Sequence, residues 1–149
     1  MKKIIIIVII LAAVVVGFIP VLTSMMASKA FEEPDSASAQ DTLLTAISWK
    51  MRLYQYTEAR RIAEKAIIWF PESPNIDSFI YKAASCAERD GVDSAAIFWY
   101  RRFLQVFPSH PWNENVKARL EKLGAPVQDI KAQDPKAKPA PKASRQPVK

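Results

Sequence analysis

A chain of 149 residues with a formal net charge of +6 has room for one domain, and three Gly with no run of alternating β-branched residues beyond the N-terminus argue for helices. The charge is uneven: residues 40–125 carry 12 Lys+Arg against 10 Asp+Glu, while residues 126–149 carry 6 against 2. The basicity therefore belongs mainly to the C-terminal segment, and no nucleic-acid partner is implied. One cysteine, Cys86, excludes an intramolecular disulfide, and one histidine, His110, argues against a zinc site or a His-centred relay.

The first element is an uncharged apolar run over residues 4–22, preceded by Lys2 and Lys3. At about 1.5 Å of rise per residue, a run of this length matches a hydrocarbon layer of about 30 Å. Residues 1–26 therefore read as a membrane anchor or signal segment. An uncleaved anchor fits the length. A cleaved signal peptide fits the breakers Gly17 and Pro20 and the small residues around Ser28-Lys29-Ala30. Basic residues before the run and Glu32, Glu33 and Asp35 after it put the N-terminus in the cytoplasm and the domain outside, periplasmic or secreted if the leader is cut. No cysteine near the N-terminus offers a site for a lipid anchor. Residues 27–40 read as a linker.

Residues 41–124 contain an internal repeat. Phe70-Pro71-Glu72-Ser73-Pro74 recurs as Phe107-Pro108-Ser109-His110-Pro111, and Ala46 with Ala83 and Ala59 with Ala96 keep the same 37-residue spacing. Each unit reads as two helices: 41–54 with 57–70, then 75–90 with 93–107. Thr57 and Asp93 are candidate N-caps, since their side-chain oxygens suit orphan backbone N–H groups. Gly91 suits a left-handed residue closing a helix. Pro71 and Pro108 stop the second helix of each unit, and Pro74 and Pro111 suit the first turn of the next. A last helix over 112–123 puts Val116, Leu120 and Leu123 on one side, polar residues on the other, and ends at Gly124 and Pro126. It reads as the polar-faced cap that a stacked array needs.

These residues resemble the tetratricopeptide repeat family, in which small residues stand where the two helices of a unit cross, an aromatic sits in the second helix, and a proline ends the unit. Ala59, Ala66 and Pro71 fit the pattern in the first unit; Ala84, Gly91, Ala96, Tyr100 and Pro108 fit it in the second. The first unit departs from it, with Ile47 where the second has Ala84 and Ala63 where it has Tyr100. The resemblance implies an all-α domain of two helix-turn-helix units plus a capping helix. It also implies a peptide groove along the face of the first helices. Carried onto this chain, that face holds Leu44, Ser48, Met51 and Arg52, then Tyr81, Lys82, Ser85 and Arg89, then Arg119 and Lys122. Its basic side chains suit an acidic or C-terminal peptide through charge-assisted hydrogen bonds. The competing reading is an ordinary solvated face. Two units make a short groove, so binding would be weak unless the protein forms homo-oligomers.

Other candidates read as structure. Trp99, Phe103 and Phe107 at spacing four fit a helix–helix interface, as do Trp49, Trp69 and Tyr100, whereas Trp69 or Trp112, near helix ends, could face a partner. Cys86, among small residues, reads as a buried small apolar side chain. Glu88 and Asp90 read as solvated surface. No paired carboxylates, nucleophile–base pair or phosphate loop stands out, and neither metal nor cofactor is implied. Residues 125–149 form a Pro/Lys/Ala-rich tail that cannot bury enough apolar surface to order itself. Such a tail could meet an anionic lipid or cell-wall polymer at about 1 kcal/mol per charge. The expected function is a membrane-anchored, non-catalytic adaptor for a protein partner. The alternative is an envelope-surface module working through the tail.

Overall fold

The computed structural model describes residues 18–34 and 38–125, all helix, turn or irregular chain with no strand. The described part of α1 covers residues 18–32. Then come α2 (Ala39–Arg52), α3 (Tyr56–Trp69), α4 (Ile76–Arg89), α5 (Asp93–Val106) and α6 (Asn113–Lys122). Each of α4, α5 and α6 starts 37 residues after α2, α3 and α4 respectively, so the spacing seen in the sequence is a period of the backbone. Connections of three and six residues alternate, which makes neighbouring helices antiparallel.

The three-residue connections share one chain reversal. The N–H of Tyr54 reaches the Met51 carbonyl, and that of Gln55 reaches the Lys50 carbonyl. Gly91 and Val92 repeat this on Glu88 and Ala87, and Gly124 and Ala125 on Glu121 and Leu120. This double bond back into the last turn needs a left-handed residue. Gly91 (φ 73°) and Gly124 (φ 70°) supply it without a side chain, as the sequence suggested for Gly91, but Tyr54 stands there at φ 61°. Left-handed geometry costs a non-glycine residue about 1–2 kcal/mol.

The six-residue connections are the Phe-Pro-x-x-Pro boxes, and each is two consecutive turns. The Ser73 N–H bonds the Phe70 carbonyl and the Ile76 N–H bonds the Ser73 carbonyl; His110 on Phe107 and Asn113 on His110 repeat both. All four prolines fall at the second position of a turn, where a fixed φ near −65° and a missing N–H cost nothing. Pro74 and Pro111 thus lie two residues before α4 and α6, not in their first turns as expected. The residue before each second proline latches the box. Ser73 takes the Asn75 N–H and donates to the Gln40 side chain, while His110 takes the Trp112 N–H and meets Asp77 at 3.2 Å. The expected N-caps also move. Gln55 and Val92 occupy the cap positions with no side-chain cap bond. Thr57 instead donates to the Asp90 carboxylate at 2.9 Å.

The core has two parts that share α4. Phe79, Ala83 and Cys86 face a cluster with α1, α2 and α3, while Ile80, Ala84 and Ala87 face a cluster with α5 and α6. Both triplets run i, i+4, i+7, so α4 is apolar on two sides; Phe79 and Ile80 fill the space at its start, and the small residues Ala83, Ala84, Cys86 and Ala87 admit helices on each side further on. In α3, Ala59, Ala63 and Ala66 are fully buried.

The N-terminal boundary differs from the expectation of a linker over 27–40. Residues 27–32 continue α1, and Thr23, Ala27, Ala30 and Phe31 are buried. The last three join the core of α2 and α3. These positions lie at i, i+4, i+7 and i+8, one helical face that a Ser/Glu/Asp-rich composition masks. Phe31 packs on Trp69 at 5.9 Å between ring centres, and the Lys65 ammonium lies 4.0 Å from the Phe31 ring. Among the described residues no helix is long and apolar enough to cross a membrane. Most of the apolar run over 4–22, and the tail over 126–149, lie outside the described residues.

Candidate functional site

The first helices α2, α4 and α6 stand side by side, and the ten expected groove residues come from them. Side-chain bonds join the three. Lys82 donates to the Ser48 hydroxyl at 3.0 Å, and Ser48 donates to the Leu44 carbonyl at 2.7 Å. On the other side of α4, Tyr81 donates to Asn115 at 3.1 Å, and its ring packs on Trp112 at 5.0 Å.

The ten are not equivalent in availability. Ser85 is buried, because α4 is covered on both sides, so it offers nothing to a ligand. Arg119 and Lys122 are engaged by Glu88, Arg119 at 2.7 Å and Lys122 at 3.9 Å. Tyr100 donates to the same carboxylate at 2.7 Å. Glu88 is therefore not the solvated surface residue expected: its side chain is 12% exposed. Burial works against its ionised form, but hydrogen bonds from Tyr100 and Arg119 outweigh it and hold the carboxyl below the usual range. Burial, then the bond to Glu88, pushes the Tyr100 phenol well above its ordinary value. At this end of the face Arg119 is already held by Glu88, while the Lys122 side chain stays largely exposed.

The α2–α4 end is open. Leu44, Thr45, Ser48, Trp49 and Arg52 line a surface cavity of about 280 Å³. These five residues are all on α2; Lys82 of α4 donates to one of them, Ser48, and the exposed Arg89 guanidinium sits 5.7 Å from the Tyr56 ring. The 37-residue period explains the contrast. Lys82 is the counterpart of Arg119, and the counterpart of Glu88 is Met51, so the carboxylate that receives Arg119 has no equivalent for Lys82. Burial lowers the Lys82 pKa, with the positive charge of Arg52 adding to the effect against an opposing contribution from Cys86. A half-buried ammonium held by one hydroxyl is the kind of group that gains from an incoming carboxylate.

Thr45 and Trp49 line this cavity but were not among the expected residues; the dense aromatics pointed Trp49 into the core, yet it is 42% exposed. Trp69 and Trp112, marked as candidates for exposure, are half exposed. Cys86 is buried, and burial pushes its thiol up to about 11, so the reactive thiolate is scarce near neutral pH. Among the described residues no three His, Cys, Asp or Glu side chains gather to hold a metal ion.

Compared with known proteins, the chain matches no protein-family model, no curated protein and no solved structure.

Proposed function

We propose that this protein is a non-catalytic adaptor of the cell envelope. The apolar segment 4–22 holds it at a membrane, and two TPR-like helix pairs (α2/α3 and α4/α5), capped by α6, are presented on the extracytoplasmic side. The ligand is an acidic or carboxylate-ended segment of a partner protein, taken at the α2–α4 end of the face. The observation that carries this reading is Lys82. It lies half-buried beside Arg52, with Met51 where the next unit has Glu88, while its counterpart Arg119 is matched by that carboxylate. An adaptor needs no reactive groups, and the site is built for attraction rather than chemistry.

A fluorescein-labelled Asp/Glu-rich peptide with a free C-terminus tests it by anisotropy on the full chain in detergent. The Lys82→Met variant should bind about tenfold more weakly, equivalent to about 1.4 kcal/mol. Arg101→Met, on the exposed side of α5, should leave affinity unchanged. Binding should also weaken with salt, as expected for a partly exposed charge contact. Equal affinity of the parent chain and Lys82→Met would sink the reading.

A further inference from the structure

The exposed side of α1 carries Phe18, Val21, Leu22 and Met25, each about half exposed or more, at spacing i, i+3, i+4, i+7. Four large apolar side chains in one stripe on a helix that docks by its other side need a cover. The sequence indicates which. From residue 4 to residue 28 there is no charged residue, so the stripe is the continuation of the apolar run, and the first charge is Lys29.

The register of α1 on α3 says where the domain sits relative to that run. Phe31, near the end of α1, meets Lys65 and Trp69, near the end of α3. Ser24, Ala27, Ser28 and Phe31 share a cavity with Glu58, Arg61, Ile62 and Lys65, both sets at spacing 3, 4 and 7. The two helices therefore run in the same direction with Ser24 level with Glu58. Two residues earlier, Leu22 is level with Tyr56, the first residue of α3. A stretch as long as residues 4–22, nineteen in number, would span about 28 Å as a helix at about 1.5 Å each, against a hydrocarbon thickness of about 30 Å. The run is used up at the level of the turn between α2 and α3.

That turn holds Tyr54, 80% exposed and left-handed where the later units have glycine, edge-on to Tyr56 at 6.0 Å. Trp49, in the last turn of α2, is exposed at the same end. Amphipathic aromatic rings collect at the headgroup level of a bilayer.

We propose that the domain stands flush on the bilayer: Phe18, Val21 and Leu22 of the α1 stripe are covered by lipid, and Met25 and the α2–α3 turn, with Tyr54 and Tyr56, rest among the lipid headgroups. This rests on the membrane-anchored reading above and deepens it, because α1 passes from the lipid into the domain core with no flexible spacer between them. The groove then faces its partner at a fixed height and orientation.

The test uses the full chain with Cys86→Ala, reconstituted in vesicles of phosphatidylcholine and phosphatidylglycerol. An environment-sensitive fluorophore is placed in turn at Leu22→Cys, Tyr54→Cys and Glu72→Cys, the last in the connection beyond the far end of α3. Circular dichroism checks each variant, and Glu58→Cys replaces the second where it fails to fold. Blue-shifted emission at positions 22 and 54, quenched by nitroxide-labelled lipid, with water-like emission at 72, is the expected result. Lipid contact at 22 with water-like emission at 54 overturns flush docking while the anchor stands. Water-like emission at 22 overturns the anchor itself and this proposal with it. A blue shift at 22 that lipid nitroxide does not quench, with sedimentation at twice the chain mass, overturns it in favour of a second copy on the stripe.

Discussion

Tyr54 shows how one residue can conflict with the backbone it serves. The reversal at the end of α2 calls for a left-handed residue, which Gly91 and Gly124 provide in the later units and Tyr54 provides against its own sterics. Tyr54→Gly should relieve that strain and raise stability by about 1 kcal/mol, less than the full strain because glycine gains backbone entropy when unfolded. In a domain of this size the melting temperature should rise by about 4–8 °C. A calorimetric scan showing an unchanged or lower midpoint would refute the argument. Glu88 is the opposite case, a residue whose surroundings favour its charge. Its folded pKa lies below the ordinary value, so the stability it contributes is complete above the ordinary carboxylate pKa of about 4.3 and disappears as pH falls through the folded pKa. Glu88→Gln should cost about 2 kcal/mol at neutral pH, the scale of hydrogen bonds to a charged group. The difference from the parent should shrink as pH is lowered from about 4. Urea titrations across that range measure it, and a constant difference would show that Glu88 is not the group responsible.

At the scale of elements, the alanine faces decide how closely helices approach. Ala59, Ala63, Ala66 and Ala96 have no exposed surface, and the later part of each α4 face is also small, with Ala83 and Cys86 on one and Ala84 and Ala87 on the other. Ala96→Trp should unfold the second helix pair, since inserting an indole where α4 and α5 touch forces backbone displacement beyond the usual 1–3 kcal/mol of overpacking. Circular dichroism of this variant indistinguishable from the parent would mean that the register of α5 is wrong. The boxes explain why the repeat is more visible in the turns than in the helices. Their prolines are fixed by turn geometry, whereas helix positions accept several residues of suitable size. Ser73 and His110 differ chemically, yet each takes the N–H two residues on and latches to the helix 33 residues earlier. Only a common backbone reveals that they do the same work.

For the whole molecule, the α1 contact sets the limits of the folded unit. Phe31 is 7% exposed and lies in the cluster that holds Leu43, Ile47 and Phe79. Phe31→Ala should destabilise the domain by about 3 kcal/mol, the low end for a buried aromatic because the site lies at the edge of the core. Thermal melts of the full chain in detergent measure this, and a loss below about 0.5 kcal/mol, the scale of a surface substitution, would show that α1 does not belong to the folded unit. The charge distribution differs between the two units. Arg119 is paired with Glu88 within the fold, Lys122 lies 3.9 Å from the same carboxylate, and Lys82 has Met51 where the later unit has Glu88.

The amino-acid order by itself determined the all-helical class, the 37-residue period, the five helices over 39–122 to within a few residues, and the left-handed glycine at 91. Those features are local: spacing of apolar residues, proline and glycine act within a few residues of themselves. What only the tertiary structure decided is which charges meet, that Ala27, Ala30 and Phe31 belong to the core, and that Ser85 is buried while Trp49 and Thr45 line a surface cavity. Partners such as Glu88 with Arg119, or Phe31 with Trp69, are more than thirty positions apart. Their meeting depends on how antiparallel helices stack, and no local pattern along the chain encodes that.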